Sequence, residues 1–181
     1  MTLQTILFDL DGTLLDSAPG LMTSTNTALA RCGCPPRSLA QITAAMGNGM
    51  ADLIARSLPG GAEDPRFAAC FDAFQEAYQS DMFTGSAPYP GILELLEALG
   101  SRGCRLAVVS NKRDGAVKAL CRQFFGERIA VAIGERPGVS RKPAPDSALT
   151  ALQELGMPAQ TAAYVGDSEV DIATARNAHL P

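Results

Sequence analysis

Two carboxylates set two residues apart, Asp9 and Asp11, close an apolar run in Ile6-Leu7-Phe8-Asp9-Leu10-Asp11-Gly12-Thr13-Leu14. In an extended chain the side chains at i and i+2 point the same way, so both acids face one place. Two acids held together at the end of a buried strand repel unless a cation is shared, and the carboxyl ends of parallel strands are where open α/β sheets bind ligands. The turn at Gly12 and Thr13 adds backbone N–H groups that could hold a phosphate.

Three later stretches carry compatible chemistry. In Val108-Val109-Ser110-Asn111-Lys112 a hydroxyl and an amide at a strand end can donate hydrogen bonds to phosphoryl oxygens, although Ser-Asn is also ordinary turn chemistry. In Arg141-Lys142-Pro143-Ala144-Pro145-Asp146 two prolines stiffen a loop, and Pro145 can open the next helix. A loop lysine is most often solvated, but a rigid one can bring a fixed positive charge to a phosphate. In Val165-Gly166-Asp167-Ser168-Glu169-Val170-Asp171 a strand meets an acidic turn and a helix. Ser168 as N-cap, with Asp171 three residues on, reads as helix capping, which leaves Asp167 over to bind a metal.

Composition narrows the classes. The chain has 181 residues, 46% of them hydrophobic and 19% charged, enough for one substantial core with room for a smaller inserted lobe. A formal net charge of -4 argues against a nucleic-acid partner, which is held mainly by Lys and Arg, but leaves small anionic substrates open. The single histidine, His179, rules out a two-histidine metalloprotease site, and no G-x-S-x-G elbow is present, so acid and base work falls to carboxylates. Five cysteines without a repeating frame point to reduced thiols, and Cys32 and Cys34 lack the further paired ligands of a structural zinc site. No apolar run is long enough to span a membrane and the start lacks the charge of a signal peptide, so the expected address is the cytoplasm, with no membrane partner.

The positioning elements follow from hydrophobic pattern. Thr5 to Leu10, Arg105 to Ser110, Ile129 to Ile133 and Ala162 to Val165 read as buried strands. Helical stretches at Ile92 to Leu99, Ala116 to Phe125 and Asp146 to Leu155 alternate with the later strands, which implies an α/β fold with a parallel sheet covered on both faces. Residues 16–86 break the alternation. They hold no convincing strand and read as helices near 20–32, 39–57 and 66–82, an inserted helical domain, so that 1–15 and 87–181 form the discontinuous core. The aromatic spacing Phe67, Phe71, Phe74, Tyr78 fits packing within that insertion.

The order D-x-D-G-T-L, S-N, K-P, G-D-S-x-x-x-D resembles the haloacid dehalogenase superfamily, over essentially the whole chain, with the phosphoglycolate phosphatase group the branch it looks most like. The resemblance implies a Rossmann-like core with an all-α cap and hydrolysis of a small phosphate monoester through an aspartyl-phosphate, with Mg2+ as cofactor. It implies Asp9 as nucleophile, Asp11 as the acid that protonates the leaving group and then the base, and Ser110 and Lys142 as partners of the phosphoryl group and of Asp9. The metal would be held by Asp9, Asp167 and the backbone carbonyl of Asp11, supported by Asp171 and Ser168. An alkoxide leaving group needs protonation and a halide does not, so Asp11 favours phosphatase over dehalogenase chemistry. Gly47, Asn48 and Gly49 in Met46-Gly47-Asn48-Gly49-Met50 read either as a plain turn between helices or, from the resemblance, as a substrate-facing loop. A lobe of this kind can close over a core and exclude water.

Members of the superfamily usually continue past the position of Pro181 into another core strand and helix, so the sheet is expected to be short of that strand, and His179 stands where a glycine is common. Expected partners are small phosphorylated metabolites, with 2-phosphoglycolate first. A pyrophosphatase, a sugar phosphate mutase and a truncated non-catalytic binding protein are the alternatives. A receiver domain fits poorly, since its acceptor aspartate follows a middle strand.

Overall fold

The computed structural model describes residues 3–181. In chain order the elements begin with β1 (Thr5–Phe8), β2 (Leu15–Asp16), α1 (Ala18–Arg31), α2 (Leu39–Ala45), α3 (Met50–Ser57) and α4 (Phe67–Ser80). There follow β3 (Ala87–Pro88), α5 (Ile92–Ser101), β4 (Arg105–Arg113), α6 (Asp114–Phe125), β5 (Val131–Glu135), α7 (Asp146–Leu155), β6 (Ala162–Val165) and α8 (Glu169–Asn177). The chain divides into two compact units, Met1–Leu15 with Pro88–Pro181, and Asp16–Ala87.

The first unit is the parallel α/β sheet expected from the alternation of strands and helices. Its order is β5-β4-β1-β6, with Thr5–Phe8 of β1 in parallel register with Arg105–Val108 on one side and Ala162–Val165 on the other. From β1 the chain builds outward through β4 and β5, then returns to the far side of β1 as β6. The crevice at the carboxyl ends of β1 and β6 is therefore a topological switch point, where side chains of two diverging connections meet. One face of the sheet, with Leu7, Ala107, Val109 and Ile133, is packed by Ala148, Ala151, Leu152 and Leu155 of α7 and by Ala178 and Leu180. Both α5 and α6 also pack against β4.

The second unit is helical. Ser38 caps α2 in a reciprocal box with Gln41, and Asn26 exchanges two hydrogen bonds with the backbone of Arg37 (3.0 and 2.7 Å), tying α1 to the start of α2. Cys70, Phe74 and Tyr78 of α4 are buried. The long helical stretch read over 39–57 is two helices, because Gly47 and Gly49 take φ of 102° and 87° and break it. Among the described residues no helix is long and apolar enough to cross a membrane.

Among the described residues four helices end in one way, with an N–H reaching the carbonyl five residues back: Cys34 to Leu29, Cys104 to Leu99, Met157 to Leu152 and Leu180 to Ala175. This ending needs a left-handed residue just before the donor. Gly33, Gly103 and Gly156 fill three of those places, and exposed His179, at φ 57°, fills the fourth. A β-carbon in that conformation costs about 1–2 kcal/mol, partly offset by the extra chain entropy of glycine. His179→Gly is therefore expected to stabilise the fold by about 0.5–1 kcal/mol in urea unfolding; a loss of stability would show that the histidine side chain has a favourable role of its own.

Candidate active site

The carboxyl end of β1 carries the site. Asp9 continues the strand pairing by donating its N–H to the Val165 carbonyl (2.9 Å), which leaves its side chain at the crevice between β1 and β6. The loop before α7 sends Lys142 into the same place. Its ammonium donates to Asp9 Oδ1 (2.7 Å), Asp171 Oδ1 (2.7 Å) and Tyr164 Oη (3.2 Å). Lys142 is held by its backbone, since Asn111 accepts from its N–H (2.8 Å) and donates to its carbonyl (3.1 Å). Asn111 thus positions the lysine loop.

The side chains of Lys142 and Asp171 are only 3% and 2% exposed, so their charges are tolerated only as a pair. Burial pushes Asp9 up to about 7, the nearby carboxylates of Asp171 and Asp11 add to the rise, and the Lys142 ammonium opposes it. Burial also pushes Asp171 up, but Lys142 and hydrogen bonds from Ser168 outweigh it and hold Asp171 below the usual carboxylate range. For Lys142 burial pulls downward, while Asp9, Tyr164 and Asp171 more than reverse it, so it stays an ammonium ion.

On the other side of the crevice the turn after β6 presents Asp167. Thr13 Oγ1 donates to Asp167 Oδ1 (2.7 Å), and Gly12, at φ 93°, has no β-carbon because one would run into the Asp167 carboxylate. Gly12 N–H itself donates to the Leu15 carbonyl (3.0 Å). Gly12 and Thr13 therefore shape the seat of Asp167. Ser168 caps α8, accepting from Asp171 N–H while its own hydroxyl and N–H donate to Asp171 Oδ2. Gly166 gives this turn room, since a β-carbon there would overlap the Asp171 carboxyl group.

Of the residues singled out from sequence, the structure gathers Asp9, Lys142, Asp167 and Asp171 directly. One carboxylate oxygen each from Asp9, Asp167 and Asp171 lies within 4.8 Å of the others. Ser110 and Asn111 lie at the buried end of β4. The carboxylate of Asp11 turns to Lys112, whose ammonium donates to both of its oxygens (2.6 and 2.8 Å). Gly47, Asn48 and Gly49 lie in the helical unit, in the loop joining α2 to α3. Sequence reasoning assigned nothing to Lys112 or Tyr164. A lysine two residues beyond Ser110, on the same side of a buried strand, was the available signal for the first; Tyr164 offered none apart from its place in the strand before Gly166.

The haloacid dehalogenase-like hydrolase family profile matches residues 6–181. A phosphoglycolate phosphatase of Rhodospirillum rubrum is 36% identical over 184 residues, covering 97% of this chain and 76% of that protein. One of Cereibacter sphaeroides is 39% identical over 182 residues, covering 97% and 81%. Among solved structures, a protein of Lactobacillus delbrueckii subsp. bulgaricus superposes with TM-score 0.93 at 31% identity, over 99% of this chain and 84% of that one. CbbY of Rhodobacter sphaeroides, solved in complex with phosphate, superposes with TM-score 0.77 at 29% identity, over 99% and 84%. The chain belongs to the haloacid dehalogenase-like hydrolase family.

Lys142→Met would leave Asp9 and Asp171 facing each other without their cation, and is expected to cost about 3–5 kcal/mol of unfolding free energy. In a double-mutant cycle with Asp171→Asn, urea unfolding should give a coupling of about 1–3 kcal/mol. Strictly additive losses would mean that the ion pair contributes nothing to the fold.

Proposed function

We propose that this chain is a magnesium-dependent phosphatase that hydrolyses a small phosphate monoester, 2-phosphoglycolate first among candidates, by way of a phosphoryl group carried on Asp9. The observation that carries this reading is the seating of Asp9: a buried carboxylate at a switch point, bound through Oδ1 to a buried ammonium and grouped with the exposed carboxylate of Asp167. Relatives named phosphoglycolate phosphatase, and a related fold solved with phosphate, support the substrate class.

The donor set suits magnesium, which prefers a few hard oxygens and keeps several waters. Asp9, Asp167 and the carbonyl of Asp11 would hold it, and Asp171, engaged by Lys142 and Ser168, would support the cluster from behind. When bound, the ion would neutralise charge on the phosphate oxygens. Lys142 withdraws charge from the same region and keeps Asp9 oriented by one oxygen. Ser110 Oγ accepts from Lys112 N–H (3.2 Å), which turns the hydroxyl so that its own hydrogen can be given to a phosphoryl oxygen.

The reaction then balances in two halves. An oxygen of Asp9 bonds to phosphorus as the ester P–O bond breaks, and Asp11 passes a proton to the departing oxygen. Next, the oxygen of a water bonds to phosphorus, its proton goes to Asp11, and the P–O bond to Asp9 breaks. We assign the helical unit the role of a cap, with Gly47, Asn48 and Gly49 as its candidate substrate-reading loop.

Release of inorganic phosphate from 2-phosphoglycolate, pyrophosphate, sugar phosphates and an aryl phosphate tests this reading. Turnover should need Mg2+, vanish on chelation and in Asp9→Asn, and fall by about 10²–10⁴-fold for alkyl esters in Asp11→Asn. Asn48→Ala should reorder the substrates while activity persists. A folded wild type with no turnover on the panel, or turnover that survives Asp9→Asn, would sink the proposal.

A further inference from the structure

Lys112 is the buried charge for which the reaction above has no use. Its side chain is 3% exposed, and burying an ammonium ion costs several kcal/mol unless it is closely paired. The pairing is two-pronged, 2.6 Å to Asp11 Oδ1 and 2.8 Å to Oδ2. The backbone brings the lysine there by an irregularity in the sheet. Val109 pairs with Ile133 and Arg113 with Glu135, so four steps along β4 match two along β5, and Ser110, Asn111 and Lys112 lie in the interval that Gly134 alone spans on β5. Such bulges re-aim side chains beside active sites. Gly134 lets β5 approach this point, because any β-carbon there would overlap the backbone of Asp114.

We propose that Lys112 is a positioning residue that fixes the orientation of the Asp11 carboxylate, so that one group can serve both half-reactions. The inference rests on the reading of Asp11 as acid and base. In the first half-reaction Asp11 must address the leaving oxygen, and in the second the attacking water. A carboxylate free to turn about its Cβ–Cγ bond would meet either only part of the time. Fixed at both oxygens by one ammonium, it keeps its plane, and a carboxylate oxygen that accepts one hydrogen bond has by its chemistry a second lone-pair site through which a proton can pass. The Lys112 N–H also orients Ser110, so one residue aligns the proton-transfer group and a phosphate-binding hydroxyl from a single bulge. Misplacement of a reacting group by about 1 Å can cost about 10²-fold in rate, which sets the size of the expected effect.

The test compares wild type with Lys112→Met and Lys112→Arg in single-turnover reactions with Mg2+, using 2-phosphoglycolate, ethyl phosphate and p-nitrophenyl phosphate. Nitrophenolate leaves without a proton, so its release in the first turnover does not use Asp11. Lys112→Met should slow first-turnover cleavage of both alkyl esters by about 10- to 100-fold, change first-turnover nitrophenolate release by less than about threefold, and slow the later hydrolysis of the phosphoryl-enzyme. Lys112→Arg, which can pair both oxygens, should recover most of the loss. Lys112→Gln, measured alongside, keeps the comparison intact if the Met variant does not fold. Equal slowing with all three esters would reduce Lys112 to a structural role and overturn the inference. Loss confined to 2-phosphoglycolate would overturn it too, since Lys112 would then be reading the substrate's carboxylate. Failure of the underlying reading is distinguishable, because there wild-type turnover of alkyl esters would survive Asp11→Asn.

Discussion

The site depends on one buried cation. Lys142 places an ammonium between Asp9 and Asp171, with the hydroxyl of Tyr164 alongside and all of these side chains buried. Without it, acids from β1 and α8 would face each other where water cannot screen them, and no chain could hold them there at modest cost. Much of the surrounding sequence serves that lysine. Asn111 clasps its backbone, Gly166 leaves space for Asp171, and Ser168 orients Asp171 while capping α8. Helix start, loop anchor and charge balance are the same few contacts.

The second charged pair, Lys112 with Asp11, is built on a different principle. Lys142 is delivered by a loop and locked by hydrogen bonds to its backbone, whereas Lys112 is delivered by a distortion of β4 against β5. The two lysines divide the two acids of the first motif between them, one holding the proposed nucleophile and the other the proposed proton carrier. Spacing of i and i+2 brings Asp9 and Asp11 to one end of one strand, yet each sees its own counter-ion, so the two carboxylates can have different tasks.

The fold class was legible because alternating buried strands and amphipathic helices have few other solutions, and the convergence of Asp9, Lys142 and Asp167 followed from each lying at a strand end or in a loop before a helix. The helical stretch 39–57 was less legible, since apolar periodicity runs through Gly47 and Gly49 and does not report that both take positive φ. The tasks of Thr13 and Asn111 were hidden for another reason. The Thr13 hydroxyl binds Asp167 and the Asn111 amide binds the Lys142 backbone, pairings between residues 154 and 31 apart in sequence that no local pattern encodes. Lys112 depended on a shift of strand register, which is a property of two strands together. His179, by contrast, stands where the resemblance to the family placed a glycine, and the helix ending found there takes a left-handed residue whatever the side chain.

The central claim, that the carboxylate seated on Lys142 is the group that receives phosphorus, is tested most directly by mixing the enzyme and Mg2+ with substrate carrying labelled phosphorus, quenching in acid within the first turnover and mapping the label by peptide. The account predicts label on the peptide containing Asp9, at the Asp9 side chain, and its disappearance as inorganic phosphate forms. Rapid turnover with label on another residue, or with no labelled protein at any time in the first turnover, would contradict it.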